Sequence, residues 1–296
     1  MTKDTKPYHK MHFISNVYRF IIILILLIFT VLILLINYNF SRQNKQYSLD
    51  YNMSAVKGLT ELLTDQEGYF LQLLNNTYES YYAYKEGLFS HLNSSHADSY
   101  SSRQEIYRFL YEAFPSGSEL SSLTLYAAAD DQIYSVTKQV RKNYPGNISE
   151  FYPLIECYGN PLTVLKVIPS VSYSKLGTSR SYSFIYCLRD VITITNIGAI
   201  QADYSVEAVN AYLSANYPGV KGDFLIIDLQ GNVLFDTSGR WYDQTFPWAD
   251  QFISCSSLTK SPIQMEHGKY FVNMESISYP GIRILGMVSQ KTLSAD

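Results

Sequence analysis

Asp203 closes the apolar run Ile197–Ala202 in the stretch NIGAIQADYSVEAV, Asn196 to Val209. A carboxylate in that place has two uses. It can hook a cation or hydroxyl of a bound solute, or it can end a strand and cap the helix that follows. Ser205 competes for the cap, so both uses stay open. Upstream, SYSFIYCLR (Ser181–Arg189) alternates, and a strand there turns Tyr182, Phe184 and Tyr186 to one face. Tyr126 and Tyr134 fall on a neighbouring hairpin. Rings of this kind make pocket walls, and a few polar groups fix a solute's orientation. Arg180 sits just before the strand, where a loop could bring its guanidinium over an anion or a sugar. The plainer reading of the tyrosines is strand propensity, and it accounts for most of the 27 in 296 residues.

Bond-making chemistry finds little support. The histidines are His9, His12, His91, His96 and His267. His91 and His96 stand in a Ser/Asn stretch, with no Glu between them as a zinc-protease helix needs. Neither a G-x-S-x-G nor a P-loop occurs. Asp130 and Asp131 suit a hairpin turn better than a metal, which needs several converging oxygens. No catalytic residue, metal or cofactor is expected. Cys157, Cys187 and Cys255 lack metal spacing, and their odd number excludes a full disulfide framework. One Cys157–Cys187 bridge and separate thiols both remain compatible with the sequence.

The strongest signal positions everything else. From Phe20 to Phe40 the chain carries no charge. About 20 apolar residues span a bilayer's hydrocarbon core. The run is too long for a signal peptide's apolar region, and no small-residue cleavage site follows it. The expected organisation is a cytoplasmic tail at 1–19 and a transmembrane helix at 20–40. Lys3, Lys6, Lys10 and Arg19 before the span outnumber Arg42 and Lys45 after it, which places the N-terminus inside and the bulk outside. Removing the tail's four cations and Asp4 from the totals of 23 and 26 leaves 19 and 25, a net of −6. That balance argues against a nucleic-acid partner.

A long helix continues the span through 41–100 as a stalk, with Val56, Leu59, Leu63, Phe70, Leu74, Tyr81 and Leu88 on one stripe. A second short helix is predicted at Ser102–Phe114. The period then changes to two. Ser121–Thr137 reads as a hairpin, Leu162–Ile168 as a strand ended by Pro169, then come strands at Ser181–Arg189 and Ile197–Asp203 and a helix at Val206–Ala215. From Gly222 the plan repeats. Phe224–Asp236 makes a hairpin, a helix carries Trp248 and Phe252, and strands follow at Ser261–Glu266, Tyr270–Ser276 and Ile282–Ser289. Leu123–Val136 corresponds to Phe224–Phe235, and Tyr182–Asp203 to Tyr270–Val288.

LTLYAAADDQIYS, SYSFIYCLRDVITITNIGAIQADYSVEAV, GDFLIIDLQGNVLFDTS and KYFVNMESISYPGIRILGMVSQKTL occur in the order and spacing of a known family. The chain resembles the double Cache (dCache) extracytoplasmic sensor domains, and looks most like those of YesM-type sensor histidine kinases of Gram-positive bacteria. The resemblance implies an α+β fold: a long N-terminal helix continuous with the anchor, then two tandem PAS-like units with antiparallel sheets. The membrane-distal unit would take 101–218 and the membrane-proximal unit 219–296. It implies a sensing input region whose output domain lies elsewhere. AraC-type regulators and chemoreceptors share that input, and a second transmembrane helix is expected after residue 296. It also implies a homodimer through the long helix, and as partner a small extracellular solute (sugar, amino acid or carboxylate) or a solute-binding protein. Asp203 falls where many such sensors keep a pocket carboxylate. The family's amino-acid sensors carry R-x-W-Y in the distal unit; here the near match is Gly239-Arg240-Trp241-Tyr242, in the proximal one and without the intervening residue. The rival of another class is a surface binding or adhesion module held by the anchor, with no signalling output.

Overall fold

The computed structural model of the protein describes residues 6–84, 88–93, 100–114, 120–129, 131–137, 140–143, 166–174, 177–190, 193, 195–242, 244–254, 262–278 and 281–294. Helix α1 runs from Lys6 to Tyr84, about 120 Å at 1.5 Å per residue. Its N-terminal half leaves Phe20 to Ile36 bare, and is long and apolar enough to cross a membrane. Its C-terminal half carries a buried stripe that includes Asn52, Val56, Leu59, Leu63, Gln66, Phe70 and Leu74, spaced to return to one face. The helix expected over 41–100 ends sooner. Leu88 belongs to a separate α2 (Leu88–Asn93), and α3 spans Tyr100–Glu112. Tyr81 lies outside the described side chains.

The distal sheet has six strands: β1 (Leu120–Ala127), β2 (Gln132–Thr137), β3 (Val140–Asn143), β4 (Lys166–Ser174), β5 (Gly177–Asp190) and β6 (Thr195–Ser205). Their order is β3-β2-β1-β6-β5-β4, antiparallel throughout. Pro169 does not end its strand. It lies inside β4, and β4 is an edge, where a residue without an N–H costs no ladder bond. Helix α4 (Val206–Asn216) leads to the proximal sheet: β7 (Asp223–Ile227), β8 (Val233–Asp236), β9 (Ile263–Met265), β10 (Gly268–Ile277) and β11 (Ile282–Ser289). Its order, β8-β7-β11-β10-β9, reproduces β2-β1-β6-β5-β4 strand for strand. Short helices α5 (Ala249–Ile253) and α6 (Gln290–Ser294) complete the chain's described elements.

One core unites the two sheets through α1. Leu123, Phe184 and Ala202 of the distal sheet and Phe224, Phe235 and Ile284 of the proximal one share a cluster with Val56, Leu59 and Phe70. The contact with β11 is close because Gly286 has no side chain. A Cβ there would lie 2.3 Å from Asn52 Oδ1 and 2.6 Å from Val56 Cγ2. Buried Asn52 donates to the Lys221 carbonyl (3.0 Å) and accepts from Asn273 Nδ2 (2.8 Å). Each sheet therefore has an inner face on α1 and an outer face turned away from it.

Candidate functional site

Strand parity sorts the distal side chains. Along β6, Ile200, Ala202 and Tyr204 face α1, and Ala199, Gln201 and Asp203 face outward. Opposite residues in antiparallel strands share a face. Ser122 on β1 and Ser183 on β5 therefore flank Asp203, and Thr124 and Ile185 flank Gln201. The outer face thus collects Ser122, Thr124, Ser135, Ser181, Ser183, Gln201 and Asp203, all buried.

Asp203 is the hub of this patch. Ser122 donates to its Oδ2, Ser183 donates to its Oδ1, and Gln201 Nε2 donates to Oδ1 at 2.7 Å. Thr124 and Ser135 hydroxyls pair beside it at 2.9 Å. The cap belongs to Ser205, whose Oγ accepts from the Ala208 N–H at 3.3 Å, so Asp203 does not cap α4. Ser181 Oγ, beside this row, is buried and finds no partner among the described residues. A buried hydroxyl without a partner is costly, so such atoms are few and usually have a use.

The six expected site residues are divided by this geometry. Tyr126 shares the outer face with Asp203; its row lies four residues along β6, about 13 Å away. Its hydroxyl donates to Asp131 Oδ1 at 3.0 Å. Tyr182, Tyr186 and Tyr134 stand on the opposite, inner face with α1. Tyr182 is fully buried, stacks on Tyr204 at 5.9 Å, and donates to Gln66 Oε1 of α1 at 2.5 Å. Tyr134 meets Tyr107 of α3 edge-on at 5.6 Å. Arg180 does not precede the strand but lies inside β5, opposite Val171 of β4; it is exposed and lies over the Tyr242 ring of the proximal half at 4.3 Å. The structure therefore gathers Asp203 and Tyr126 on one face, and sends the other four to the core or to the junction between the sheets. Ser122, Thr124, Ser181, Ser183 and Gln201 were missed. Their signal is a period of two in small hydroxyl residues, SSLT and SRSYS, opposite the aromatic period.

Cys157 and Cys255 lie outside the described residues; Cys187 is buried on the outer face, its thiol 3.6 Å from the Gly198 carbonyl.

No family model matches the chain, and no curated protein matches it significantly. Solved structures match it across both sheets. The ligand-binding domain of the Campylobacter jejuni chemoreceptor Tlp3, in complex with L-norvaline, aligns over 86% of this chain and 94% of its own, with a TM-score of 0.51 at 8% identity. The fold is a double Cache fold. The periplasmic sensory domain of C. jejuni Tlp1 aligns over 79% of this chain and 93% of its own (TM-score 0.51, 9% identity). The ligand-binding domain of the Pseudomonas aeruginosa PAO1 amino-acid chemoreceptor PctC, in complex with GABA, aligns over 83% and 99% (TM-score 0.51, 12% identity). Within the double Cache fold, the Asp203 face is the outer face of the first sheet.

Proposed function

We propose that this chain is the extracytoplasmic sensing region of a membrane-bound signalling protein, and that a small solute binds the outer face of the distal sheet at Asp203. The observation that carries the reading is the buried polar patch. Six polar side chains on one sheet face surround a carboxylate, and one of them, Ser181, has no described partner. A core would fill that face with apolar groups, because burying polar atoms gains nothing for stability alone. Asp203 offers its charge to an ammonium or to hydroxyls, and Ser181, Ser183 and Gln201 offer the neighbouring contacts.

The same strands reach α1. Tyr182 and Tyr204 adjoin Ser183 and Asp203 in sequence and point the other way, to the Gln66 side chain and carbonyl. A solute that reshapes the outer row would move the inner one, and with it the helix that leads to the membrane. The solute must prefer one of two arrangements for this to carry a signal. In this reading residues 1–19 lie inside, which the excess of cations before the apolar run supports, and the long helix pairs two copies. A histidine kinase and a chemoreceptor both suit this input, and the likeness to chemoreceptor domains supports the second output at least as well as the first.

The test is a thermal-shift screen of the full chain in maltoside micelles against sugars, amino acids and carboxylates. A ligand at 100 times its Kd should add about 2.7 kcal/mol of stability, and Asp203→Ala should abolish the shift while still folding. A shift that survives Asp203→Ala, or no shift with any of the three classes, overturns the assignment.

A further inference from the structure

The two sheets share one topology, so a position in one has a counterpart in the other. Ser205 ends β6 and accepts from the amide three residues on, Ala208. Ser289 ends β11 and accepts from the amide three residues on, Thr292, at 3.0 Å. Two residues before each serine stand Asp203 and Met287. The neighbours of Asp203 are Ser122 and Ser183. Those of Met287 are Asp223 on β7 and Val272 on β10. The proximal sheet thus also has a carboxylate in this row, moved one strand sideways, about 4.8 Å.

A small cleft of about 20 Å³ opens at this place, lined by partly buried Asp223 and by Met287, by the rings of Trp241, Phe246 and Trp248, and by three exposed charged or titratable groups, Arg240, Glu266 and His267. The aromatic wall is held by the backbone. Buried Asp236 accepts from the Ser238 and Trp241 amides (2.8 and 2.9 Å), which fixes the loop carrying Arg240 and Trp241. The Phe246 amide donates to Gly231 (2.8 Å). The three rings meet at steep angles: Trp241 and Trp248 at 89° and 5.7 Å, Trp241 and Phe246 at 79° and 5.7 Å, Phe246 and Trp248 at 61° and 5.6 Å. Both tryptophans are only partly buried.

We infer that this cleft is a second ligand site, for the primary ammonium group of a small solute. The site goes beyond the distal one and does not depend on it. Three features select the chemistry. Ring faces attract cations. Asp223 supplies the counter-charge and accepts the ammonium protons. The volume suits a water-sized head such as –NH3+, since about 10–15 Å³ of such space holds one water, and a trimethylammonium has no N–H to donate to Asp223. Arg240 is exposed, and its long side chain swings into water at little cost when a cation arrives.

The chain holds two tryptophans, and both line this cleft. Intrinsic tryptophan fluorescence therefore reports on this site and not on the Asp203 face. The experiment titrates the full chain in maltoside micelles, at constant ionic strength, with n-butylammonium chloride, 1-butanol and tetramethylammonium chloride. Saturable change with butylammonium is expected at a Kd at least tenfold below that of either other probe. Asp223→Asn should weaken butylammonium at least tenfold with an unchanged near-ultraviolet spectrum, Arg240→Gln should tighten it, and Asp203→Asn should leave it unaltered. No saturable change, an equal response to butanol or to tetramethylammonium, or loss of binding in Arg240→Gln would each overturn the site. The probe comparison needs no variant, so misfolding of Asp223→Asn does not protect the proposal. Loss in Asp203→Asn would show that the probe reads the distal face, and would also overturn it.

Discussion

Four aspartates in these sheets have different work because their surroundings differ. Asp236 and Asp228 are consumed by their own loops, each accepting from amides two to five residues on. Asp203 is held by side chains from both neighbouring strands. The acidity of Asp223 is shifted by its surroundings. Burial pushes its pKa above the ordinary carboxylate range; Arg240 pulls it back and Asp236 adds to the rise. The folded protein therefore holds this proton more tightly than the unfolded chain does. Between the unfolded and the raised folded value the native state binds more protons, so stability falls as pH rises through that window and levels off above it. Asp223→Asn should remove this slope. Denaturant midpoints measured from acid to neutral pH would check it, and an unchanged slope in the variant would assign the effect to another group. In the same window a bound ammonium competes with the proton, so butylammonium should weaken as pH falls.

At the scale of elements, α1 is the part on which both sheets depend. Its apolar half and its buried stripe lie on one continuous helix, which packs against both sheets. A close contact lies at Gly286, where β11 meets Asn52 and Val56 with no room for a methyl group. Gly286→Ala should force α1 away from the proximal sheet and cost about 1–3 kcal/mol, the usual range for overpacking. Urea unfolding reads this directly. A variant as stable as the parent would mean that α1 shifts there freely. Gly198→Ala is a poor comparison, because its Cβ would meet the Tyr126 carbonyl of the adjacent strand instead.

At the scale of the molecule, the junction between the two sheets turns on Tyr242. Its ring packs against both hydrophobic clusters and lies beneath Arg180. Its hydroxyl is buried with no partner among the described residues. The ring and the hydroxyl should therefore separate in mutants. Tyr242→Phe should leave stability unchanged or raise it by up to about 1 kcal/mol, since an unpaired buried polar group is removed. Tyr242→Ala should cost about 2–3 kcal/mol, below the about 3–5 of a fully buried ring because this one is only partly buried. Chemical denaturation of both variants decides it. Equal losses would mean that the hydroxyl has a partner and that the junction is polar.

The sequence alone determined the long apolar run, the strand segments and the doubled plan. Each is a local property: the uncharged run from Phe20 to Phe40, the period of two in Ser181–Arg189, and the matched hairpins at Leu123–Val136 and Phe224–Phe235. It also named Ser205 as the rival for the cap, although it ended the strand at Asp203 and β6 runs on to Ser205. It could not choose between faces. Alternation says that Tyr182 and Tyr186 lie together and that Ser181 and Ser183 lie together, but not which set meets α1. That choice belongs to the tertiary structure, because a helix with a wide apolar stripe takes the face of larger rings and leaves the small hydroxyls outward. For the same reason Arg180 and Tyr242, distant in sequence, met only when the two sheets were docked on one helix. The counterpart row of Asp223 and Met287 became visible only when both strand orders were known.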